Sequence, residues 1–235
     1  SDILGVSAGA GFGASLAIIF FQNQPVFVYL FAFSFGIAAV VLSYLIGFHY
    51  HTTPTIMLVL GGVIVKAIFS SLVSLLKYIA DPFEHLPSIV FWLMGSLATA
   101  RYEDLLLAAL PMAAGMLGLV AMRWRLNILS MGDKEAQALG VNVLFTKSLA
   151  IFFATVSTAA AVCVSGVIGW VGLVIPHIGR MLVGNNNTVL IPVSISIGAS
   201  YLVLVDNLAR TLTGSEIPLG ILTSIIGAPF FVYLL

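Results

Sequence analysis

Long apolar runs, separated by short polar breaks, fill the chain. About 20 apolar residues in a helix are needed to cross the ~30 Å hydrocarbon core of a bilayer. The runs are continuous and do not alternate every second residue, which argues against a β-barrel. The pattern therefore predicts an all-α polytopic transmembrane helical bundle. Eight spans are expected, at approximately 3–21, 26–48, 55–79, 103–122, 147–166, 167–183, 189–213 and 214–235.

The polar breaks fall at 22–25, 49–54, 81–84, 123–147 and 184–187, and the boundary at 166–169 is weak. Neither a repeat of 20–50 residues nor a domain boundary is visible. Residues 1–235 are therefore expected to form a single transmembrane domain. The chain opens without an initiator Met or a basic n-region, so we expect no signal peptide and a start inside a longer protein.

Charge is unevenly distributed between the break 123–147 and the segment 80–104, and Lys and Arg in short loops mark the cytoplasmic side. The break 123–147 carries four cations, Arg123, Arg125, Lys134 and Lys147, against the two acids Asp133 and Glu135. The segment around 80–104 carries four acids, Asp81, Glu84, Glu103 and Asp104, with only Lys77 and Arg101 at its edges. We therefore expect 123–147, 49–54, 184–188 and both chain ends to be cytoplasmic and 80–104 to be external. The apolar stretch 91–94 is too short to span and is expected in the external interface.

Composition supports the membrane assignment, because 60% of residues are hydrophobic, only 8% are charged and mean hydropathy is +1.15. A soluble domain has about 25% charged residues. The net charge of zero gives no field that would attract nucleic acid. Cys163 is the chain's single cysteine, which excludes an internal disulfide.

Three glycines in the first predicted span, Gly5, Gly9 and Gly13, are four residues apart. Such spacing places small residues on one helix face and lets a neighbouring backbone approach closely. Helix packing is one interpretation, and lining of a substrate pathway is another; the two are compatible.

The segment 130–140 predicts a short helix outside the bilayer. Ser130 and Asp133 are candidate N-caps, strong helix formers follow, and Gly140 supplies a stop. Ala136 and Leu139 are the apolar residues available for packing. The helix is either a solvated connector or a docking element for a cytoplasmic partner.

Further along, Pro176 predicts a kink or a new helix start. Two prolines and two glycines, Pro218, Gly220, Gly227 and Pro229, predict a broken last helix, a feature common near transport pathways. Asp206 and Arg210 are four residues apart and are expected to pair, because unpaired charge in a membrane is costly.

No arrangement of catalytic residues or metal ligands emerges from the sequence. His-Glu-x-x-His and a phosphate-binding glycine loop with Lys do not occur, and no catalytic residue and no nucleotide hydrolysis by this chain are expected. His177 has no second ligand at metal-site spacing, so no metal site is predicted.

Taken in order, these segments resemble the permease subunits of ATP-binding-cassette (ABC) importers for metal chelates, which serve iron–siderophore complexes, haem and vitamin B12. The resemblance covers essentially the whole chain. The matching segments read LGVSAGAG at 4–11, FWLMG at 91–95, EAQALGV at 135–141, GLVIPH at 172–177 with Arg180, DNLAR at 206–210, and PLGILT at 218–223 followed by GAP at 227–229.

The resemblance implies a bacterial inner-membrane homodimer with a pathway along its two-fold axis. It also implies two cytoplasmic ATPase subunits that bind ATP and Mg, a periplasmic substrate-binding protein, and no cofactor in this chain. Family members have about ten spans, so the first two would be absent here. The segment 130–141 corresponds to the coupling helices that contact the ATPase, which assigns this role to Gly132, Asp133, Lys134, Glu135, Ala136, Gln137, Leu139 and Gly140.

Lys66 departs from the family pattern, which has a small or apolar residue there. It lies near the middle of its predicted span, roughly 17 Å from either end and too deep to snorkel. Facing lipid would cost at least ~2.5–3.5 kcal/mol. Lys66 should therefore either face a wet pathway, where it favours an anionic cargo, or be paired or neutral inside the protein.

The expected function is that of an importer permease, which moves a metal chelate or related metal-containing anion inward by alternating access coupled to partner ATPases. The alternative is a secondary transporter driven by an ion gradient, for which Asp206 is the only mid-span acid. A membrane hydrolase is a distant third, because Ser7 and His177 have no suggestive spacing.

Overall fold

The computed structural model describes residues 2–48, 55–98, 100–212 and 216–234, and within these ranges the regular structure is entirely helical. The predicted break 49–54 and the boundary between the last two predicted spans lie outside them. A 3-10 turn at Asp2–Leu4 comes before the first α-helix. The α-helices are α1 (Val6–Phe20), α2 (Pro25–Phe48), α3 (Thr55–Ile79), α4 (His85–Met94), α5 (Tyr102–Leu129), α6 (Asp133–Ala138), α7 (Val143–Ser165), α8 (Val171–Val183), α9 (Asn187–Thr211) and α10 (Leu219–Leu234).

Five of the described helices, α2, α3, α5, α7 and α9, are long and apolar enough to cross a membrane. The first, sixth and eighth predicted spans correspond to α1, α8 and α10, which have 15, 13 and 16 residues. At 1.5 Å per residue these helices are only about 20–24 Å long. The all-helical class is confirmed, whereas the count of eight spans stays a prediction.

Helices α5 and α7 extend further into the predicted break 123–147 than the apolar runs do. α5 continues to Leu129, and α7 begins at Val143. The apolar-run criterion ended the span before Arg123, yet Arg is a good helix former and does not stop the hydrogen-bond ladder. The connection is therefore reduced to 130–142, which includes α6.

The prolines interrupt the helices less than expected. α8 begins at Val171 and runs through Pro176. α10 is one helix that runs through Pro229, so the predicted broken helix is wrong for the described residues. Pro218 directly precedes the first residue of α10, where its missing N–H costs no helical hydrogen bond.

The first of two compact units comprises residues 1–112 and 155–168. Its core is built on α1, which packs against α2 and α3 through small residues; Ala10, Ala14 and Ala17 are fully buried. A Cβ at Gly9 would collide with the carbonyl of Phe35, and one at Gly13 with that of Phe31. The predicted close backbone approach thus occurs at Gly9 and Gly13, against α2.

The second unit comprises residues 113–154 and 169–235. Here α8 packs against α9 and α10. Gly179 faces Leu190 and Ser194 of α9, and Gly227 of α10 faces the indole of Trp170. The division into two units leaves the single domain a prediction.

Candidate functional site

Helix α6 has sharply defined ends set by two glycines. Gly132 is the N-cap residue with φ 125°, and Gly140 follows the C-cap with φ 78°. The N–H of Val141 donates to the carbonyl of Ala136 at 3.0 Å, and that of Gly140 donates to Gln137 at 2.9 Å. This pair of bonds is a Schellman motif, in which a residue with positive φ ends the helix. The predicted stop at Gly140 is confirmed.

Neither predicted N-cap side chain caps α6. The N-cap residue is Gly132, which has no side chain, and the Ser130 hydroxyl instead donates to the carbonyl of Asn127 at 2.6 Å. Asp133 is the first helical residue, and its Oδ2 accepts from Nζ of Lys147 on α7 at 2.6 Å. An acid in the first turn also interacts favourably with the helix dipole. Asp133 therefore joins α6 to α7.

The two apolar residues predicted as docking anchors have opposite environments. Ala136 has no exposed surface and packs with Ile128 of α5 and Val143 of α7. Leu139 is 59% exposed. The expectation that Ala136 is available to a partner is therefore wrong, because its methyl group already holds α6 against its own chain. Leu139 remains available.

Further exposed apolar side chains near α6 were missed by the sequence reasoning. Met131, Leu144 and Phe145 are 63%, 44% and 56% exposed. Leu144 and Phe145 lie on α7, before the predicted start of that span. Their position could have been the signal, because these two apolar residues lie in the first turn of α7, before the predicted span begins. Together with Leu139, these side chains add exposed apolar surface on α6 and on the residues that flank it.

The α5 end next to this connection is fixed to the start of α9. Asn127 Oδ1 accepts from the backbone N–H of Asn187 at 3.1 Å, and the amide of Asn187 donates to the carbonyl of Leu126 at 3.3 Å. Arg123 donates to the carbonyl of Thr188 at 3.4 Å. These hydrogen bonds fix the end of α5, which is one of the helices that α6 packs against.

The predicted pathway residues lie in two different environments. Lys66 is exposed on α3, and the neighbouring Val65 and Phe69 are buried. Gly5 lies beside this position, since a Cβ on Gly5 would be 3.5 Å from the backbone nitrogen of Lys66. Gly9 and Gly13 are buried against α2. The structure thus brings Gly5 and Lys66 together, and the pathway role of all four residues stays a prediction.

The charges on α9 form the pair that their spacing predicts. Nε of Arg210 donates to Oδ2 of Asp206 at 2.9 Å. Glu216, which the sequence reasoning did not include, lies 3.5 Å from Arg210 and adds a second acid. Asp206 is five residues before the end of α9, so it is closer to the helix end than a mid-span acid would be.

His177 packs its ring against Phe230 and Phe231. Among the residues described, His, Cys, Asp and Glu form no group of three that could hold a metal ion.

The sequence of this chain is similar to those of known transport proteins. Residues 1–235 match the FecCD transport family. The chain is 48% identical over 230 residues to the molybdate import system permease protein of Haemophilus influenzae, covering 97% of this chain and 68% of the relative. It is 40% identical to the cobalamin import system permease protein of Halobacterium salinarum, covering 100% and 63%.

The fold of this chain is also found in a solved structure. An inward-facing metal-chelate type ABC transporter is 47% identical, with a TM-score of 0.92, and the match covers 99% of this chain and 75% of that one. Both the sequence and the architecture match over nearly the full chain. The chain therefore belongs to the FecCD transport family and is a membrane permease.

Proposed function

We propose that this chain is the permease of an ATP-driven importer that carries a metal-containing anion into the cytoplasm, as a homodimer with two ATPase subunits and an external binding protein. The observation that carries the proposal is the full-length match to the FecCD family, together with the 47% identical ABC transporter structure. ATP and Mg would bind the partner subunits, and the chain would sit in a bacterial inner membrane with its C-terminus inside.

An anionic cargo is supported by two independent observations. The 48% identical relative is named for molybdate import. Lys66 lies on α3, twelve residues into a 25-residue helix, and its side chain is exposed. A cation at this depth attracts an oxyanion or an acidic chelate and does little for a neutral cargo. Molybdate is therefore the first cargo to test.

Coupling to the ATPase is assigned to α6. Its glycine-defined ends and the ion pair from Asp133 to Lys147 fix the helix against α5 and α7, so a force applied to it reaches both. Leu139 supplies an exposed apolar anchor, which a partner groove can bury. Lys134, Glu135 and Gln137 are exposed around it.

The decisive experiment reconstitutes the permease with its ATPase subunits and binding protein in proteoliposomes. Uptake is measured with molybdate, a ferric siderophore and cobalamin, with and without ATP. ATP-dependent accumulation of molybdate, with stimulation of ATPase activity, is expected. Uptake that follows an imposed proton or sodium gradient without ATP would overturn the proposal in favour of a secondary transporter.

Orientation is tested by cysteine labelling in a Cys163→Ser background. Glu84→Cys should react with an impermeant maleimide added to intact cells, and Asp133→Cys only after the membrane is opened. Labelling of Asp133→Cys in intact cells would reverse the topology and remove α6 from the ATPase side.

A further inference from the structure

A proline inside α9 removes one hydrogen bond from the start of that helix. Pro192 lies in the second turn of α9 (Asn187–Thr211) and has no backbone N–H. In an α-helix this N–H would donate to the carbonyl four residues earlier, which belongs to Thr188. Nη1 of Arg123, on α5, donates to that carbonyl at 3.4 Å. The guanidinium of Arg123 thus supplies a donor where Pro192 leaves a gap in the backbone ladder.

Two further hydrogen bonds join the same ends of α5 and α9. The N–H of Asn187, the first residue of α9, donates to Oδ1 of Asn127 at 3.1 Å. The start of a helix leaves this N–H without an intrahelical acceptor. The side-chain amide of Asn187 donates to the carbonyl of Leu126 at 3.3 Å. We call Arg123, Leu126, Asn127, Asn187 and Thr188 the α5–α9 junction.

These polar bonds, and not close helix packing, join α5 to α9. Among the described helices, α8 and α10 pack along α9 and α5 does not. Hydrogen bonds depend steeply on distance and angle, so they do not tolerate a large relative shift of the two helix ends. A displacement of the α5 end therefore either moves the first turn of α9 with it or breaks the junction.

The end of α5 also supports the helix to which coupling is assigned. Ile128 directly follows Asn127 and packs with Ala136 of α6. Successive residues of a helix point about 100° apart, so one turn of α5 contacts α9 on one side and α6 on another. Helices bend most readily at proline. With the Arg123 bond in place, the first turn of α9 is held against such bending and moves together with the rest of the helix.

We propose that Arg123 and Asn127 are positioning residues that transmit movement of the coupling helix α6 through the end of α5 into α9. This role depends on the coupling function proposed for α6. Arg123 acts by closing the gap that Pro192 leaves, and Asn127 acts by holding the first N–H of α9. Coupling of this kind travels through packed side chains, hydrogen bonds and rigid helices. Because α9 packs against α8 and α10, its displacement reaches other helices of the second unit.

The test measures the amount of molybdate taken up per ATP hydrolysed by the full chain, reconstituted with its ATPase subunits and binding protein. Arg123→Met should lower this ratio about two- to thirtyfold, the range over which single residues in coupling networks act. Pro192→Ala returns an N–H to the Thr188 carbonyl, so the double variant Arg123→Met/Pro192→Ala should recover most of the wild-type ratio. Pro192→Ala alone and Arg125→Gln, which removes a neighbouring exposed cation of α5, are the controls and should keep it.

A second pair of variants separates transmission from folding. Asn127→Asp keeps an oxygen acceptor for the Asn187 N–H and should keep the ratio, whereas Asn127→Leu has a similar shape but no acceptor and should lower it. Co-purification of the ATPase and the thermal midpoint should be the same in both variants.

Three results would contradict these expectations in different ways. Wild-type ratios in Arg123→Met and Asn127→Leu, in complexes that assemble normally, would overturn the transmission role and leave coupling through α6 intact. A loss in Arg123→Met that Pro192→Ala does not restore would also overturn it. A wild-type complex that accumulates no molybdate with ATP would instead overturn the proposed function.

Discussion

Lys147 Nζ lies 2.6 Å from Oδ2 of Asp133, so an ion pair bridges the first residue of α6 to the first turns of α7. The side chains are 17% and 48% exposed, which leaves water access to the pair. The bond spans fourteen residues of sequence and closes the connection between α5 and α7. Its importance lies in fixing the direction of α6 more than in stabilising the fold.

Breaking this pair should therefore change coupling more than stability. Exposed ion pairs contribute about 0–1 kcal/mol, so Lys147→Met should barely change the thermal midpoint of the purified permease. ATPase stimulation by substrate should fall in the reconstituted complex. Arg125→Gln, which removes an exposed cation of α5 outside the proposed coupling residues, is the control. A large drop in thermal midpoint with normal stimulation would show that the pair is structural.

The α6 region shows what the sequence could and could not specify. The stop at Gly140 was predictable, because a glycine after a run of helix formers supplies the positive φ that ends a helix. The environment of Ala136 was not, because its burial depends on Ile128 and Val143, which come from the ends of two other helices. The partner of Asp133 was hidden for the same reason. Contacts with the neighbouring helices determine both the burial of Ala136 and the ion pair of Asp133.

The spans illustrate the same limit. α3 was predicted with its observed bounds, because its apolar run ends in polar residues at both sides. α5 was predicted to end seven residues early, since a hydropathy criterion responds to charge and a helix does not. An apolar cavity beside Asp104, lined by residues of α2, α5 and α7, has no sequence signal, because three helices that are distant in sequence form it.

Leu139 is exposed and Ala136 is buried, so a charge introduced at each position should impair a different property of the permease. Leu139→Glu should leave the permease folded and abolish association with the ATPase subunits, since it places a charge on an exposed apolar anchor. Ala136→Glu should destabilise the permease itself, by several kcal/mol, because it forces a charge into a fully buried site. Co-purification and thermal unfolding separate the two outcomes. Normal assembly of Leu139→Glu would return α6 to a connector role.

Gly13 tests the packing of α1 against α2. Gly13→Ala places a methyl group against the carbonyl of Phe31, and overpacking of this kind costs about 1–3 kcal/mol. Gly172→Ala is the control, because a Cβ there would meet nothing within 4 Å. Thermal unfolding should show a lower midpoint for Gly13→Ala only. Unchanged stability with lost transport would instead favour a pathway role for Gly13.

Asp81 makes the turn before α4 sensitive to acid. The backbone N–H groups of Glu84 and Phe83 donate to Oδ1 at 2.9 and 2.8 Å and hold the pKa of the carboxyl below its usual 3.8. A lowered folded pKa means that the contribution to stability is complete above 3.8 and is lost as pH falls through the folded pKa. Hydrogen exchange of these two amides should accelerate, beyond the intrinsic pH trend, only in that acidic window. Asp81→Ala should exchange fast at every pH, and if it matched wild type, the turn would not depend on the carboxylate.

Lys66 gives the sharpest test of the cargo. Its position near the middle of α3 makes a charge costly unless the protein uses it. Lys66→Met should weaken uptake of molybdate, seen mainly as a raised KM, because the attraction for the anion is lost before any later step. Lys66→Arg should retain most of the uptake, since it keeps the charge. Lys77→Met, in the last turn of the same helix, is the matched control for loss of a cation. Expression and dimerisation should be unchanged in all three variants. Equal uptake kinetics in Lys66→Met and wild type would remove Lys66 from the pathway and leave the cargo's charge to be set elsewhere.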